Sequence, residues 1–121
     1  MRDGSPLFIK TFDMLEWLLA HTAKFPKSHR FGLAKRMDDA ALDFSDALLW
    51  ALKAPDKRAV LLHADGALER LRFYNRLAVR LRLQTPAQQE HLAKQLDELG
   101  RLVGGWLRAL GGGGGSAPER R

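Results

Sequence analysis

Four histidines, a run of aspartates and a line of arginines are the side chains in this sequence that could do chemistry. His21, His29, His63 and His91 lie in different segments, and none has a second histidine at helical spacing. The paired Glu-x-x-His motifs of a bundle-core di-iron site are therefore missing. Asp38, Asp39, Asp43 and Asp46 fall close together, with Asp39, Asp43 and Asp46 on one helical face. Without histidine they make a weak divalent-cation site, and a solvated acidic face is the simpler reading. There is no cysteine, which removes disulfides, thiolate zinc sites, iron–sulfur clusters and thiol nucleophiles. No glycine-rich phosphate loop follows a strand. The expectation is a chain with no catalytic residue, no metal and no cofactor, and not an enzyme.

The arginines say more. Arg72, Arg76 and Arg80 are spaced by four, so they stack along one side of a helix, and Arg58 projects the same way about four turns earlier. Like charges at this spacing repel by a few tenths of a kcal/mol per pair, a cost that stability alone does not explain. The planar guanidinium fork suits phosphate. Lys and Arg number 20 against 14 Asp and Glu, a formal charge of +6, and residues 56–84 alone hold seven basic and three acidic side chains. A partner made of phosphates, RNA or DNA, accounts for such an excess. The alternative is a solvated face whose arginines pair with acids on a neighbouring helix or subunit.

Four segments position these groups, each with helical periodicity, and none reads as a strand. Ser5 and Pro6 open the first, capped and then pre-set by proline; Phe8, Phe12, Leu15, Leu19 and Thr22 form its stripe, to about Lys24. Pro26 interrupts. The second carries Leu33, Met37, Ala40, Phe44, Leu48 and Ala51 and stops near Pro55. Asp56 caps the third, over residues 57–83, with Val60, Ala64, Ala67, Leu71, Tyr74, Ala78 and Leu81 as its stripe. Thr85, Pro86 and Gln88 give the sharpest boundary, a capping box with proline in the first turn. The fourth then carries Leu92, Leu96, Leu99, Val103, Trp106 and Leu110. Four such helices with connections of a few residues predict an all-α fold, an antiparallel up-down-up-down four-helix bundle over residues 1–110. Gly111 to Gly115 and the polar residues after them predict a disordered tail over residues 111–121. No apolar run approaches the ~18 residues of a membrane span, and the first residues lack a signal-peptide core; a soluble, cytoplasmic chain with no membrane partner is expected.

Two packing features stand out. Leu62 and Phe73 flank the arginine side of the third helix, and Leu61, Val79 and Leu83 lie on its other margin. A helix apolar almost all round is buried on more than one side, which points to self-association; Trp17 and Trp50, off their helices' stripes, point the same way, and the alternative is an irregular bundle that buries them within one chain. Gly100, Gly104 and Gly105 lie within one helix, where each glycine costs up to ~1 kcal/mol. Close approach of another backbone, or a local break, is the expected compensation.

Three stretches carry a resemblance: Phe25-Pro26-Lys27-Ser28-His29-Arg30-Phe31-Gly32-Leu33-Ala34, Ala64-Asp65-Gly66-Ala67-Leu68-Glu69-Arg70-Leu71-Arg72-Phe73, and the fourth segment from Thr85-Pro86 and Gln88 to Gly100-Arg101-Leu102-Val103-Gly104-Gly105-Trp106. In order and spacing, over about residues 7–110, the chain resembles the accessory variability determinant (Avd) proteins of diversity-generating retroelements. The resemblance implies a four-helix bundle assembling into a homopentameric barrel with a basic surface. It also implies binding to the retroelement's reverse transcriptase and to nucleic acid, template RNA or cDNA, during mutagenic homing, with no catalytic activity of its own. The family's basic character falls here on Lys27, Arg30, Arg36, Arg72, Arg76, Arg80, Arg101 and Arg108. The four-helix proteins encoded in intervening sequences of bacterial 23S rRNA genes share the fold and are less similar.

Overall fold

The computed structural model describes residues 5–112. Four helices account for most of them: α1 (Pro6–Thr22), α2 (Leu33–Ala51), α3 (Lys57–Arg80) and α4 (Pro86–Gly112), with a short 3-10 turn (Lys27–His29) between the first two. No strand occurs among the described residues. Each helix packs on the next and α1 closes onto α4, with α2 and α3 the most intimate pair and α1 and α2 the loosest. The expected up-down-up-down order is the observed one.

The helix starts are set locally. Ser5 Oγ accepts from the Phe8 amide at 3.4 Å, and Asp56 caps α3 through the Ala59 amide at 3.1 Å. At α4 the capping box is complete: the Gln88 amide donates to Thr85 Oγ1 at 3.1 Å, and the Thr85 amide to Gln88 Oε1 at 2.9 Å. Lys57 Nζ turns back to donate to the carbonyls of Ala51, Leu52 and Ala54, satisfying the orphan acceptors where α2 ends. α3 stops at Arg80, three residues short of the expected end. Leu83 N–H bonds to Ala78 O and Arg82 N–H to Val79 O, with Arg82 at φ 61°, a Schellman closure. α4 continues through Gly112, so it takes in the first two residues of the expected tail; residues 113–121 lie outside the described residues.

The core is built from Met37, Phe44, Leu48, Leu61, Leu68, Leu71, Leu92, Leu96 and Leu99, all fully buried, with their neighbours. The α2 stripe is the expected one throughout. The α1 stripe is not. Leu7, Phe8, Thr11, Met14, Leu18 and Thr22 face inward, while Phe12 (56% exposed) and Leu19 face solvent. α1 is apolar on most of its circumference, so periodicity alone does not choose its inner face. Thr11 and Thr22 are admissible inside because their hydroxyls are satisfied, by Leu7 O at 2.7 Å and by Asp38 Oδ1 at 2.6 Å. On α3, Leu61, Leu68 and Asn75 are buried beside the expected stripe, whereas Tyr74 is half-buried and Leu81, past the helix end, is exposed. On α4, Trp106 is half-buried and Leu110 exposed.

Candidate nucleic-acid interface

The α1–α2 connection and the α3–α4 turn lie at the same end of the bundle. A buried polar network fixes that end. Gln84 Nε2 donates to Asn75 O at 2.9 Å and to Asn75 Oδ1 at 2.6 Å, and Asn75 Nδ2 donates to Gln89 O at 3.0 Å. Gln84 Oε1 accepts from His21 Nε2 at 2.8 Å, which ties α1 to the α3–α4 turn. The His21 ring stacks on Trp17 at 4.5 Å, Trp17 meets His91 at 4.7 Å, and Phe25 packs edge-on against His21. Two of the four histidines are thus brought together, around an indole. Among the described residues no three histidines or carboxylates are grouped to hold a metal ion.

This end carries free cations. Lys27 and Arg30 in the connection, Arg36 in the first turn of α2, Arg76 and Arg80 in the last turns of α3, and Arg82 in the turn after it are all exposed. None forms an ion pair among the described residues; Arg36 Nη1 reaches only the Tyr74 hydroxyl, at 3.4 Å. The acids nearby are occupied: Asp39 bonds Lys35 at 2.7 Å and Glu90 lies 3.4 Å from Lys94. Asp38 is half-buried under Thr22. Burial raises the pKa of its carboxyl from the ordinary aspartate value, the Thr22 hydroxyl opposes this, and the neighbouring Asp39 charge adds to it.

The expected arginine line does not survive whole. Arg72 is drawn against α4: Nε lies 3.9 Å from Asp97 and Nη2 donates to Leu96 O at 3.3 Å, while Nη1 meets Glu69 of its own helix at 3.1 Å, leaving its side chain 26% exposed. Side chains at four-residue spacing precess by about 40° per step, and this turns Arg72 toward α4 while Arg76 and Arg80 face out. Arg58 is exposed but stands about 27 Å down α3 from Arg76 at 1.5 Å per residue, beyond the reach of screened charge. Arg108 lies at that far end too, over Gly104. Arg101 is ion-paired to Glu98 at 2.7 Å. The cluster is therefore Lys27, Arg30, Arg36, Arg76 and Arg80 of the residues expected from sequence, joined by Arg82 and by Lys24, which is exposed in the turn just after α1. A basic residue just before the turn that ends at Pro86 was the available signal for Arg82.

The acidic face of α2 is in part a partner of arginine within the chain, since Asp43 Oδ2 lies 3.2 Å from Arg70 and 3.4 Å from His63. The α4 glycines sit in an unbroken helix. A Cβ on Gly100 would stand 2.8 Å from Arg72 Nη2, so the close approach there comes from a side chain rather than a backbone. Of the residues expected at an oligomer interface, Trp50, Leu62 and Phe73 are exposed at 61%, 51% and 58%. Trp17 is instead half-buried within the chain by its two histidines. The α1–α2 groove adds Phe12, Leu19, Leu42 and Leu49, apolar side chains that face solvent. Among the described residues no helix is long and apolar enough to cross a membrane.

The family model described as bAvd-like matches residues 7–110, which takes in all four helices but for the first residue of α1 and the last two of α4, and every cation of the cluster. No curated protein matches the chain.

Proposed function

We propose that this chain, which belongs to the bAvd-like family, is a non-catalytic accessory protein of a diversity-generating retroelement. It holds template RNA or its cDNA beside the reverse transcriptase that it binds. In this reading it works in the cytoplasm as a homopentameric ring, which multiplies the charge of +6 by the subunit number. The observation that carries the nucleic-acid half is the set of unpaired guanidiniums at one end, with the nearby acids already engaged. Affinity then comes largely from counterion release, falls steeply with salt and depends little on sequence.

The test compares Arg76→Glu/Arg80→Glu with Arg72→Ala, by filter retention of labelled RNA and DNA and by circular dichroism. The double variant loses retention with its helicity intact. Arg72→Ala retains nucleic acid and loses about 1 kcal/mol of stability, through the bonds it makes to Leu96 and Glu69. Normal retention by the double variant refutes the assignment.

A second reading, a structural oligomer of the 23S rRNA intervening-sequence type, draws on the Arg70–Asp43 and Arg72–Asp97 pairs. It makes the arginines mortar between helices and subunits. It predicts that high salt dissociates the assembly and that nucleic acid binds no better than to any basic protein.

A further inference from the structure

We propose that the basic end takes an unpaired nucleic-acid strand, and that Phe31 is the platform on which one of its bases stacks. This deepens the proposed function and rests on its nucleic-acid reading. Phe31 is 83% exposed, more than any other large apolar side chain described. Its loop is otherwise anchored: Phe25 before it and Leu33 after it are buried. Three backbone hydrogen bonds hold the turn between them, His29 N–H to Pro26 O, Arg30 N–H to Lys27 O and Gly32 N–H to His29 O. The ring is thus held outward by an ordered turn.

Its surroundings are cationic. Arg30 precedes it, Lys27 lies one 3-10 turn earlier, and both are exposed. The contact of Arg36 with Tyr74 aligns the start of α2 with the C-terminal part of α3. At 1.5 Å per residue this brings Leu33, the first residue of α2, to about the level of Leu77, so the turn that holds Phe31 lies at the Arg80 end of α3. An apolar protein partner seated on Phe31 would have to desolvate those charges without pairing them. A polyanion pairs them. Duplex nucleic acid turns phosphates outward and keeps its base faces stacked, which would leave Phe31 in water. An unpaired strand offers phosphate to the guanidiniums and a bare π-face to the ring at once, a combination tolerant of sequence.

The experiment is fluorescence anisotropy on the full chain, with a labelled single-stranded oligonucleotide and a duplex of the same sequence, at several salt concentrations. Phe31→Ala is expected to weaken strand binding about tenfold, leaving duplex affinity, the salt slope and the assembly's mass unchanged. Phe31→Trp restores strand binding. Wild-type strand affinity in Phe31→Ala, an equal loss on strand and duplex, or a changed mass overturns the stacking role while the basic site stands. A wild-type protein that binds neither oligonucleotide removes the nucleic-acid reading and this inference together.

Discussion

Arg82 shows how a single residue reveals a competing demand. It occupies the left-handed position that closes α3, where glycine carries no steric penalty and an L side chain costs roughly 1 kcal/mol. The backbone bonds of the closure are made regardless of the side chain, so the guanidinium contributes nothing to them. It does add charge beside Arg80. Arg82→Gly is therefore expected to raise the unfolding free energy by about 1 kcal/mol in urea titration and to weaken nucleic-acid binding in the same preparation. A variant that gains stability at no cost in binding would place Arg82 outside the site. The arginine spacing was legible in the sequence as a line along α3. What was not legible was where α4 would lie, and that decides why Arg72 is held by Asp97 and Leu96 O while Arg76 and Arg80 stay free. Phe31 gave no periodic signal at all, because it sits in a turn.

At the scale of the element, local signals were readable and distant ones were not. The caps at Ser5, Asp56 and Thr85 each depend on a partner three residues away, so sequence contains the whole interaction. The inner face of α1 depends on neighbours that sequence leaves unspecified. An apolar reading there put Phe12 and Leu19 inside, although the bundle buries Leu7, Met14 and Leu18 instead. The helical glycines separate the same two influences. A Cβ on Gly66 meets nothing within 4 Å, whereas one on Gly100 meets Arg72 Nη2 at 2.8 Å. Gly66→Ala should stabilise the chain by up to about 1 kcal/mol through helix propensity alone. Gly100→Ala should gain visibly less, because the Arg72 guanidinium must leave Leu96 O. Thermal melts of the two variants, run side by side with wild type, check the difference.

For the whole molecule, seven of the eleven exposed large apolar side chains among the described residues divide between two faces on either side of α2. Phe12, Leu19, Leu42 and Leu49 border the α1–α2 groove; Trp50, Leu62 and Phe73 lie over α2 and α3. The anchoring contacts, Thr22 to Asp38 on one flank of α2 and Arg70 to Asp43 on the other, keep these faces apart. A two-fold dimer needs one self-complementary patch, whereas a closed ring joins two different patches head to tail. Two separate apolar faces on one chain suit the ring that the proposed function calls for. The distinction can be tested by mixing. Leu42→Glu/Leu49→Glu spoils one face and Leu62→Glu/Phe73→Glu the other, and each variant alone is expected to run as a monomer in light scattering, with its helicity kept. Combined, they should form a one-to-one heterodimer, because each still offers the face its partner has lost. If the mixture stays monomeric, the two faces do not meet each other, and a head-to-tail ring built on them is ruled out.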